Sequence, residues 1–200
     1  MNIPKQANVI IIGGGVIGCS IAYHLGKLGW KDIVLLERKK LTSGTTWHAA
    51  GLIAQLRATQ NMTRLAKYSQ ELYWDLEKET GVVTGFKRNG SMTVALTEER
   101  LEELNRQADM ARAYDVEIEN INKSQIQERY PHLNTEDVLG GVWLPKDGQA
   151  DPVNITLALA KGARNFGVNI IEDLKVNSIE TNDGKVKAVR THQGLINANY

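Results

Sequence analysis

A strand-like run followed at once by three spaced glycines constrains the fold of this chain more than any other feature. Residues 9–12 are four consecutive β-branched residues, as in a strand buried on both faces. Gly13, Gly15 and Gly18 follow in the G-x-G-x-x-G spacing. Gly13 would permit a tight turn, Gly15 would let the backbone approach a pyrophosphate, and Gly18 would let the next helix pack close to the sheet. The pattern predicts a phosphate-binding loop at a helix N-terminus.

The residues after the glycine loop complete the pattern of a β-α-β unit. Apolar residues recur at helical spacing, and Gly29 is suited to end the helix. These apolar residues are Ile17, Ile21, Ala22, Leu25 and Leu28. A second apolar run, residues 33–36, ends in Glu37, whose carboxylate would accept hydrogen bonds from a ribose. This order predicts a dinucleotide-binding fold. A glycine-rich turn in another α/β protein is the alternative, and it leaves Glu37 unexplained.

A polar loop rich in hydroxyl groups and small residues follows, over residues 38–52. In a doubly wound sheet this loop lies at the rim where ligands bind. Its hydroxyl and amide groups could hold further phosphate or sugar, and its small residues would let a large flat ligand approach closely. A solvated connection is the alternative, and it fits Trp47 and the small, apolar residues 49–52 poorly.

The rest of the chain alternates between helix and strand signals. Helices are predicted over residues 62–80, 98–111, 124–129 and 152–166, and strands over residues 91–96, 141–144, 168–171, 175–181 and 185–191, with a hairpin turn at 182–184. Thr97 and Asp151 are suited to cap the helices that they precede. The helix at 62–80 would bury an apolar face made of Met62, Leu65, Ala66, Leu72, Tyr73 and Leu76.

The predicted fold class is α/β, with a Rossmann-like domain and an inserted α+β lobe. The Rossmann-like domain, a parallel sheet with helices, is assigned to residues 1–83 and 147–200. Residues 84–146 lack a β-α-β rhythm, so we expect them to form part of a lobe with a mixed sheet that covers the ligand. Residues 197–200 resemble a strand just beginning. We therefore expect a fragment of a longer polypeptide whose dinucleotide-binding domain is incomplete at the C-terminus.

Composition argues against several classes of partner. The 200 residues carry 24 basic and 23 acidic side chains, a net charge of +1, so neither nucleic acid nor an anionic membrane is expected. The single cysteine, Cys19, excludes an internal disulfide framework and a multi-cysteine metal site, and no metal is expected. Cys19 is either a thiolate stabilised by the helix N-terminus or a small packing residue, which we favour. No apolar run is long enough to span a bilayer. No apolar signal core opens the chain, so we expect a soluble cytoplasmic protein, in the mitochondrial matrix if eukaryotic.

One stretch of the polar loop resembles a known family. Residues 45–52 read Thr-Thr-Trp-His-Ala-Ala-Gly-Leu, and residues 147–152 read Asp-Gly-Gln-Ala-Asp-Pro. With the glycine loop and Glu37-Arg38, they resemble the dimethylglycine and sarcosine dehydrogenases, FAD-dependent amine oxidoreductases of the D-amino-acid-oxidase-like superfamily. The resemblance covers essentially the whole chain, and the Trp-His-Ala-Ala-Gly stretch is its most specific part.

The resemblance implies that FAD is the cofactor and indicates which residues bind it. The pyrophosphate would lie over the first helix, near Val16 and Ile17. Glu37 would hold the adenosine ribose with Arg38 beside it, and the backbone of Val176 would meet the adenine. The loop residues that would wrap the cofactor from the diphosphate toward the flavin ring are Gly44, Thr45, Thr46, Trp47, His48, Ala49, Ala50, Gly51 and Leu52.

His48 matches the histidine that, in these dehydrogenases, is bonded through a ring nitrogen to the flavin 8α-methyl carbon. A neutral imidazole is a competent nucleophile near pH 7. The alternative is a loop histidine that only forms hydrogen bonds. No role is assigned to His24, His132 or His192.

The implied reaction is oxidation of an N-methylated amino acid such as dimethylglycine or sarcosine, with hydride transfer to the flavin. Electrons would pass to an electron-transfer flavoprotein or to dioxygen. Tetrahydrofolate would take part only through a C-terminal domain absent from this chain. Arg57, Arg64 and Arg88 are available for the substrate carboxylate, and no catalytic acid or base is assigned.

Three other functions stay open. The first is another FAD-dependent oxidoreductase, acting on glycine, D-amino acids, other amines or glycerophosphate. The second is a non-catalytic regulatory protein similar to the regulatory subunit of pyruvate dehydrogenase phosphatase. The third is a nicotinamide-dependent Rossmann dehydrogenase, and the long loop after Glu37 argues against it.

Overall fold

The structure is a computed structural model that describes residues 3–200. Its helices are α1 (Val16–Lys27), α2 (Gln60–Thr80), α3 (Glu98–Ala113), α4 (Lys123–Arg129) and α5 (Pro152–Asn165), with a short 3₁₀ helix at Thr46–His48. Its strands are β1 (Gln6–Ala7), β2 (Val9–Ile12), β3 (Ile33–Leu36), β4 (Leu52–Ile53), β5 (Ser91–Ala95), β6 (Glu119–Ile121), β7 (Gly140–Leu144), β8 (Gly148–Gln149), β9 (Asn169–Ile171), β10 (Val176–Asn182), β11 (Lys185–Thr191) and β12 (Gly194–Ala198).

Contacts divide the chain into two compact units. The first comprises the described residues up to Gly51, with Asp75–Gly85 and Asp151–Tyr200, and the second comprises Leu52–Trp74 and Phe86–Ala150. Residues 52–74, which the sequence analysis assigned to the dinucleotide-binding domain, therefore group with the second unit. Compact units are not by themselves functional domains, so the assignment of a cofactor domain and a substrate lobe stays a prediction.

The first unit contains a parallel sheet built around β3. This strand lies between β2 and β9, with Leu36 opposite both Ile12 and Ile171. All four residues of β3 are buried, as expected for the central strand of a parallel sheet. The predicted α/β fold with a parallel sheet is confirmed.

The isoleucines of α1 lie outside its buried face. Ile17 is 72% exposed, and Ile21 and Leu28 are exposed as well. The buried residues of the helix are Gly18, Cys19, Ala22, Tyr23 and Gly26. At the contact between α1 and α5, a Cβ on Gly162 would lie only 2.7 Å from the Tyr23 ring. Close packing through small residues turns the isoleucines away from α5, and hydrophobic periodicity alone does not reveal this choice.

A second sheet of the first unit has the order β1-β12-β11-β10. Strands β10 and β11 form the predicted hairpin, and Asp183 and Gly184 both have positive φ, at 49° and 74°, as a type I′ turn requires. The expectation of a strand just beginning at residue 197 was wrong, because β12 starts at Gly194 and pairs with β11. Beyond β12, the N–H of Tyr200 donates to the carbonyl of Asn8 (3.1 Å).

The second unit contains the antiparallel sheet β5-β7-β6, so the expected mixed sheet was wrong. Helix α3 packs on β5 and β7 over a core that includes Leu104, Ala108 and Val142. The Thr97 hydroxyl accepts from the N–H of Arg100 (3.3 Å), which confirms the predicted cap. Strand β6 was not predicted, because its three residues carry no alternating pattern long enough to detect.

The first turns of α2 bury a polar face rather than the predicted apolar one. Thr63 and Gln70 are fully buried, whereas Met62 and Leu65 are exposed. The Gln70 amide oxygen accepts from the Gln55 side chain (2.7 Å), and the Thr63 hydroxyl donates to the Arg57 carbonyl (3.2 Å). Satisfied hydrogen bonds make burial of this face tolerable, and the periodicity of apolar residues gives no sign of it.

Among residues 3–200, no helix combines the length and apolar character that crossing a bilayer requires. Within the same residues, no group of three or more histidine, cysteine, aspartate or glutamate side chains is arranged to hold a metal ion.

Candidate functional site

A cleft of about 780 Å³ lies in the first unit, where β2 and β3 end and α1 begins. Its lining residues are Ile11, Ile12, Gly13, Gly15, Val16, Ile17, Gly18, Ile21, Leu36, Glu37, Arg38, Ser43, Gly44, Thr45, Thr46, Ala49, Leu174, Lys175 and Val176. The carboxyl ends of parallel strands are where doubly wound folds bind ligands. The cleft is therefore the candidate functional site.

The glycine loop has the conformation that its spacing predicts. Gly13 turns out of β2 with φ of 110°, which favours glycine, and its N–H donates to the Leu36 carbonyl (2.8 Å). A Cβ on Gly18 would overlap the carbonyl oxygen of Gly13. The helix therefore starts closer to the loop than any side chain at residue 18 would allow.

The Glu37 carboxylate fastens the glycine loop from the end of β3. It is 9% exposed, and its two oxygens accept from the backbone N–H groups of Gly14 (2.7 Å) and Lys39 (2.9 Å). Sequence analysis assigned Glu37 only to a ribose. Each carboxylate oxygen has a further lone pair, so the same side chain can brace the loop and accept a hydroxyl group from a ligand.

Thr42 holds the other side of Gly14. Its N–H donates to the Gly14 carbonyl (3.0 Å), and its φ of 72° is left-handed. A β-branched residue in this region is strained. The hydrogen bond to Gly14 holds Thr42 in this conformation and ties the polar loop to the glycine loop.

The helix N-terminus receives a hydroxyl group from this loop. The first N–H of α1, on Val16, donates to Thr46 Oγ1 (3.0 Å), while the N-cap residue, Gly15, offers no side chain. A Cβ on Gly15 would lie 3.1 Å from that oxygen. The absence of a Cβ at Gly15 therefore leaves room for the Thr46 hydroxyl group as well as for a ligand.

The cleft brings together most of the predicted cofactor-binding residues. The predicted residues that line it are Gly13, Gly15, Val16, Ile17, Gly18, Glu37, Arg38, Gly44, Thr45, Thr46, Ala49 and Val176. Trp47, His48, Ala50 and Gly51 belong to the first unit but do not line it, and Leu52 belongs to the second unit. His48 is exposed, and its ring stacks on Trp47 with 3.7 Å between the ring centroids.

Several residues that line the cleft were not predicted as site residues. These are Ile11, Ile12, Ile21, Leu36, Ser43, Leu174 and Lys175. Two of them could have been predicted from their neighbours in sequence. Ile21 lies one helical turn beyond the predicted Ile17, and Lys175 directly precedes the predicted Val176. The candidate carboxylate-binding arginines lie in the second unit, where the Arg88 guanidinium stacks on Trp74 (4.1 Å to the ring centroid).

Cys19 is a packing residue, as favoured. Its side chain is fully buried, and its Sγ lies 3.7 Å from the Gly14 carbonyl oxygen. Burial raises the pKa of the thiol to about 12, because a thiolate would lose its hydration. The buried thiol therefore stays protonated near neutral pH.

Replacing Glu37 by glutamine is expected to loosen the glycine loop. The amide would keep one acceptor, but its NH₂ group would face a backbone N–H of Gly14 or Lys39. A buried donor without a partner lowers the free energy of unfolding by about 1–3 kcal/mol. In a domain of this size, each kcal/mol lowers Tm by about 2–4 °C. Thermal unfolding of the cofactor-free protein measures the effect, and the exposed Glu128→Gln is the matched control. An unchanged Tm for Glu37→Gln would show that the Glu37 carboxylate does not stabilise the glycine loop.

The fold and cleft define a dinucleotide-binding protein of the Rossmann type. Residues 8–199 match the model of the FAD dependent oxidoreductase family, and the chain belongs to that family. The match covers both units and confirms the recognised superfamily.

The curated relatives agree. Rat dimethylglycine dehydrogenase is 41% identical over 97% of this chain and 23% of its own length, and sarcosine dehydrogenases match similarly. The mouse pyruvate dehydrogenase phosphatase regulatory subunit is 38% identical over 99% of this chain and 23% of its own length. The chain thus spans about a quarter of the length of these relatives.

A solved structure supports the fold. The L-proline dehydrogenase from P. horikoshii superposes with a TM-score of 0.92 and 27% identity, over 98% of this chain and 52% of that one.

Proposed function

We propose that this chain is the FAD-binding part of an enzyme that oxidises an N-methylated amino acid. The observation that carries the proposal is the cleft at the glycine loop, which is lined by most of the residues that the resemblance assigns to FAD. Its lining fits, because the N-terminus of α1 faces the cleft with Gly15, Val16, Ile17 and Gly18, and backbone N–H groups at a helix N-terminus suit a diphosphate. After the N–H of Val16, the following N–H groups of the first turn have no acceptor within the helix.

Each part of the cleft suits one part of FAD. The first turn of α1 would hold the pyrophosphate, Glu37 and Arg38 the ribose, and the backbone of Val176 the adenine. Residues 44–52 would lead toward the flavin ring. Bound FAD would supply the two-electron acceptor for hydride transfer from the N-methyl carbon, and hydrolysis of the resulting iminium would release formaldehyde. This chain contributes binding and orientation.

We further propose that His48 is bonded to the cofactor. A ring nitrogen of His48 would join the 8α-methyl carbon of the flavin, with loss of the imidazole N–H hydrogen and one C–H hydrogen. The two hydrogens and their electrons would pass to dioxygen, which becomes hydrogen peroxide. Exposure of His48 leaves its ring accessible, and the stack on Trp47 limits its rotation.

The names of the relatives support the substrate class and suggest a compartment. Dimethylglycine dehydrogenase acts on an N-methylated amino acid, and this relative is mitochondrial. We propose dimethylglycine or sarcosine as the substrate, and an electron-transfer flavoprotein or dioxygen as the electron acceptor. Tetrahydrofolate would require a part of the protein outside this chain.

A regulatory function is the second candidate, and the 38% identity to the phosphatase regulatory subunit favours it. That protein resembles the chain as closely as the dehydrogenases do. The intact glycine loop, Glu37 and His48 together support catalysis, since a regulator has less need of a bonded flavin.

Turnover of a panel of amines distinguishes the proposed enzyme from the regulatory protein. The full-length gene product is assayed with dimethylglycine, sarcosine, glycine, proline and D-alanine, using an artificial electron acceptor and detection of formaldehyde. The proposal predicts formaldehyde from the N-methylated amino acids alone. Turnover of glycine or D-alanine without formaldehyde would indicate another oxidase, and no turnover of any amine would favour the regulator.

A further inference from the structure

The N-terminus of α1 is capped from a distant part of the chain. A helix usually has its first N–H groups satisfied by the side chain of its own N-cap residue, but Gly15 has none. Thr46, thirty residues later, supplies the acceptor with its hydroxyl, at 3.0 Å from the N–H of Val16. One hydrogen bond therefore joins the glycine loop to the turn that carries His48.

Thr46 is the buried residue of an otherwise exposed turn. It is 8% exposed, whereas the next residue, Trp47, is 57% exposed and His48 is exposed as well. The 3₁₀ helix Thr46–His48 also packs against α5. Thr46 is therefore the residue that anchors the turn, since Trp47 and His48 are both exposed.

Backbone hydrogen bonds within the turn fix His48 relative to Thr46. The N–H of His48 donates to the Thr45 carbonyl, and the N–H of Ala49 donates to the Thr46 carbonyl, both at 3.1 Å. The His48 ring then stacks on Trp47. Because the turn is closed by these bonds, fixing Thr46 against α1 fixes the position of the imidazole two residues later.

We infer that Thr46 is a positioning residue for the bond between His48 and the flavin. It ties the imidazole to the same helix N-terminus that the cofactor's diphosphate would contact. This inference rests on the proposed function and on the His48 bond proposed above. A misplacement of about 1 Å can slow a positioned reaction about a hundredfold, so loss of the tie should slow attachment even when FAD is bound.

The test measures the rate of flavin attachment in the full-length gene product. Cofactor-free protein is mixed in air with saturating FAD, samples are denatured at intervals, and the fraction of protein with the added mass of FAD is measured. Thr46→Val keeps the shape but lacks the acceptor, and Thr46→Ser keeps the hydroxyl. Thr97→Val is the matched control, because it removes a helix cap of the same kind from α3. Thr46→Ala replaces Thr46→Val if the latter does not fold.

The inference predicts attachment at least tenfold slower in Thr46→Val, with Thr46→Ser and Thr97→Val close to wild type. Equal rates for Thr46→Val and wild type at saturating FAD would overturn it. Equal slowing by Thr97→Val would overturn it too, since the effect would then be general destabilisation. A wild type that binds FAD without any added mass would overturn it together with the His48 bond, and the amine panel would still test the oxidation separately.

Discussion

A Gly18→Ala variant is expected to lose nearly all affinity for FAD. The new Cβ would overlap the backbone oxygen of Gly13, and a backbone atom yields less readily than the end of a side chain. Either α1 or the glycine loop must move, at a cost of about 1–3 kcal/mol or more. The movement would displace the N–H groups that would bind the diphosphate. We therefore expect the affinity for FAD to fall by about a hundredfold, which is a loss of about 2.7 kcal/mol in binding free energy.

Gly44→Ala is the matched control for stability, because a Cβ on Gly44 would have no atom within 4 Å. Its Tm should stay close to wild type, while that of Gly18→Ala falls by several degrees. FAD affinity is measured by quenching of flavin fluorescence in cofactor-free protein. Wild-type affinity in Gly18→Ala would show that the helix does not depend on close approach at this residue.

Replacing His48 by alanine is expected to abolish covalent flavin while leaving the cleft able to hold FAD. His48 does not line the cleft, and its described contacts are the ring stack on Trp47 and backbone bonds of the turn. Alanine removes the nucleophile and leaves those backbone bonds intact. Intact mass after denaturation should show one FAD per chain in wild type and none in His48→Ala, with FAD released into solution from the variant.

His132→Ala provides the control for this result. His132 lies beside Tyr130 in the second unit, so its removal should leave the added mass unchanged. If His48→Ala keeps the added mass, the flavin is attached to a residue other than His48. Absence of the added mass from wild type would make His48 a loop histidine.

Long periodic segments and residues with a particular turn geometry could be predicted from the sequence. The strands around the glycine loop, the Asp183-Gly184 hairpin and the caps Thr97 and Asp151 all agree with the structure. In each case the information is local, since it lies in a few neighbouring residues. The family could also be recognised from the sequence, because the glycine loop, Glu37-Arg38 and residues 45–52 and 147–152 are short local motifs, and the family match spans residues 8–199.

Features that depend on tertiary packing could not be predicted. Periodicity placed Met62 and Leu65 on a buried face, whereas the first turns of α2 bury Thr63 and Gln70. The hydrogen bonds that Glu37 accepts from Gly14 and Thr46 accepts from Val16 join residues 23 and 30 positions apart. A motif names these residues as ligand contacts, but only their positions in space show that they also hold the site together.

Anaerobic mixing of the FAD-loaded, full-length gene product with dimethylglycine or sarcosine tests the central claim most directly. We predict that the visible absorption band of oxidised flavin disappears with either N-methylated amino acid and returns when an electron acceptor, dioxygen or an electron-transfer flavoprotein, is added. The matched test with glycine should leave the band unchanged. An oxidised band that persists at every concentration of both N-methylated substrates would contradict the account and favour the regulatory function.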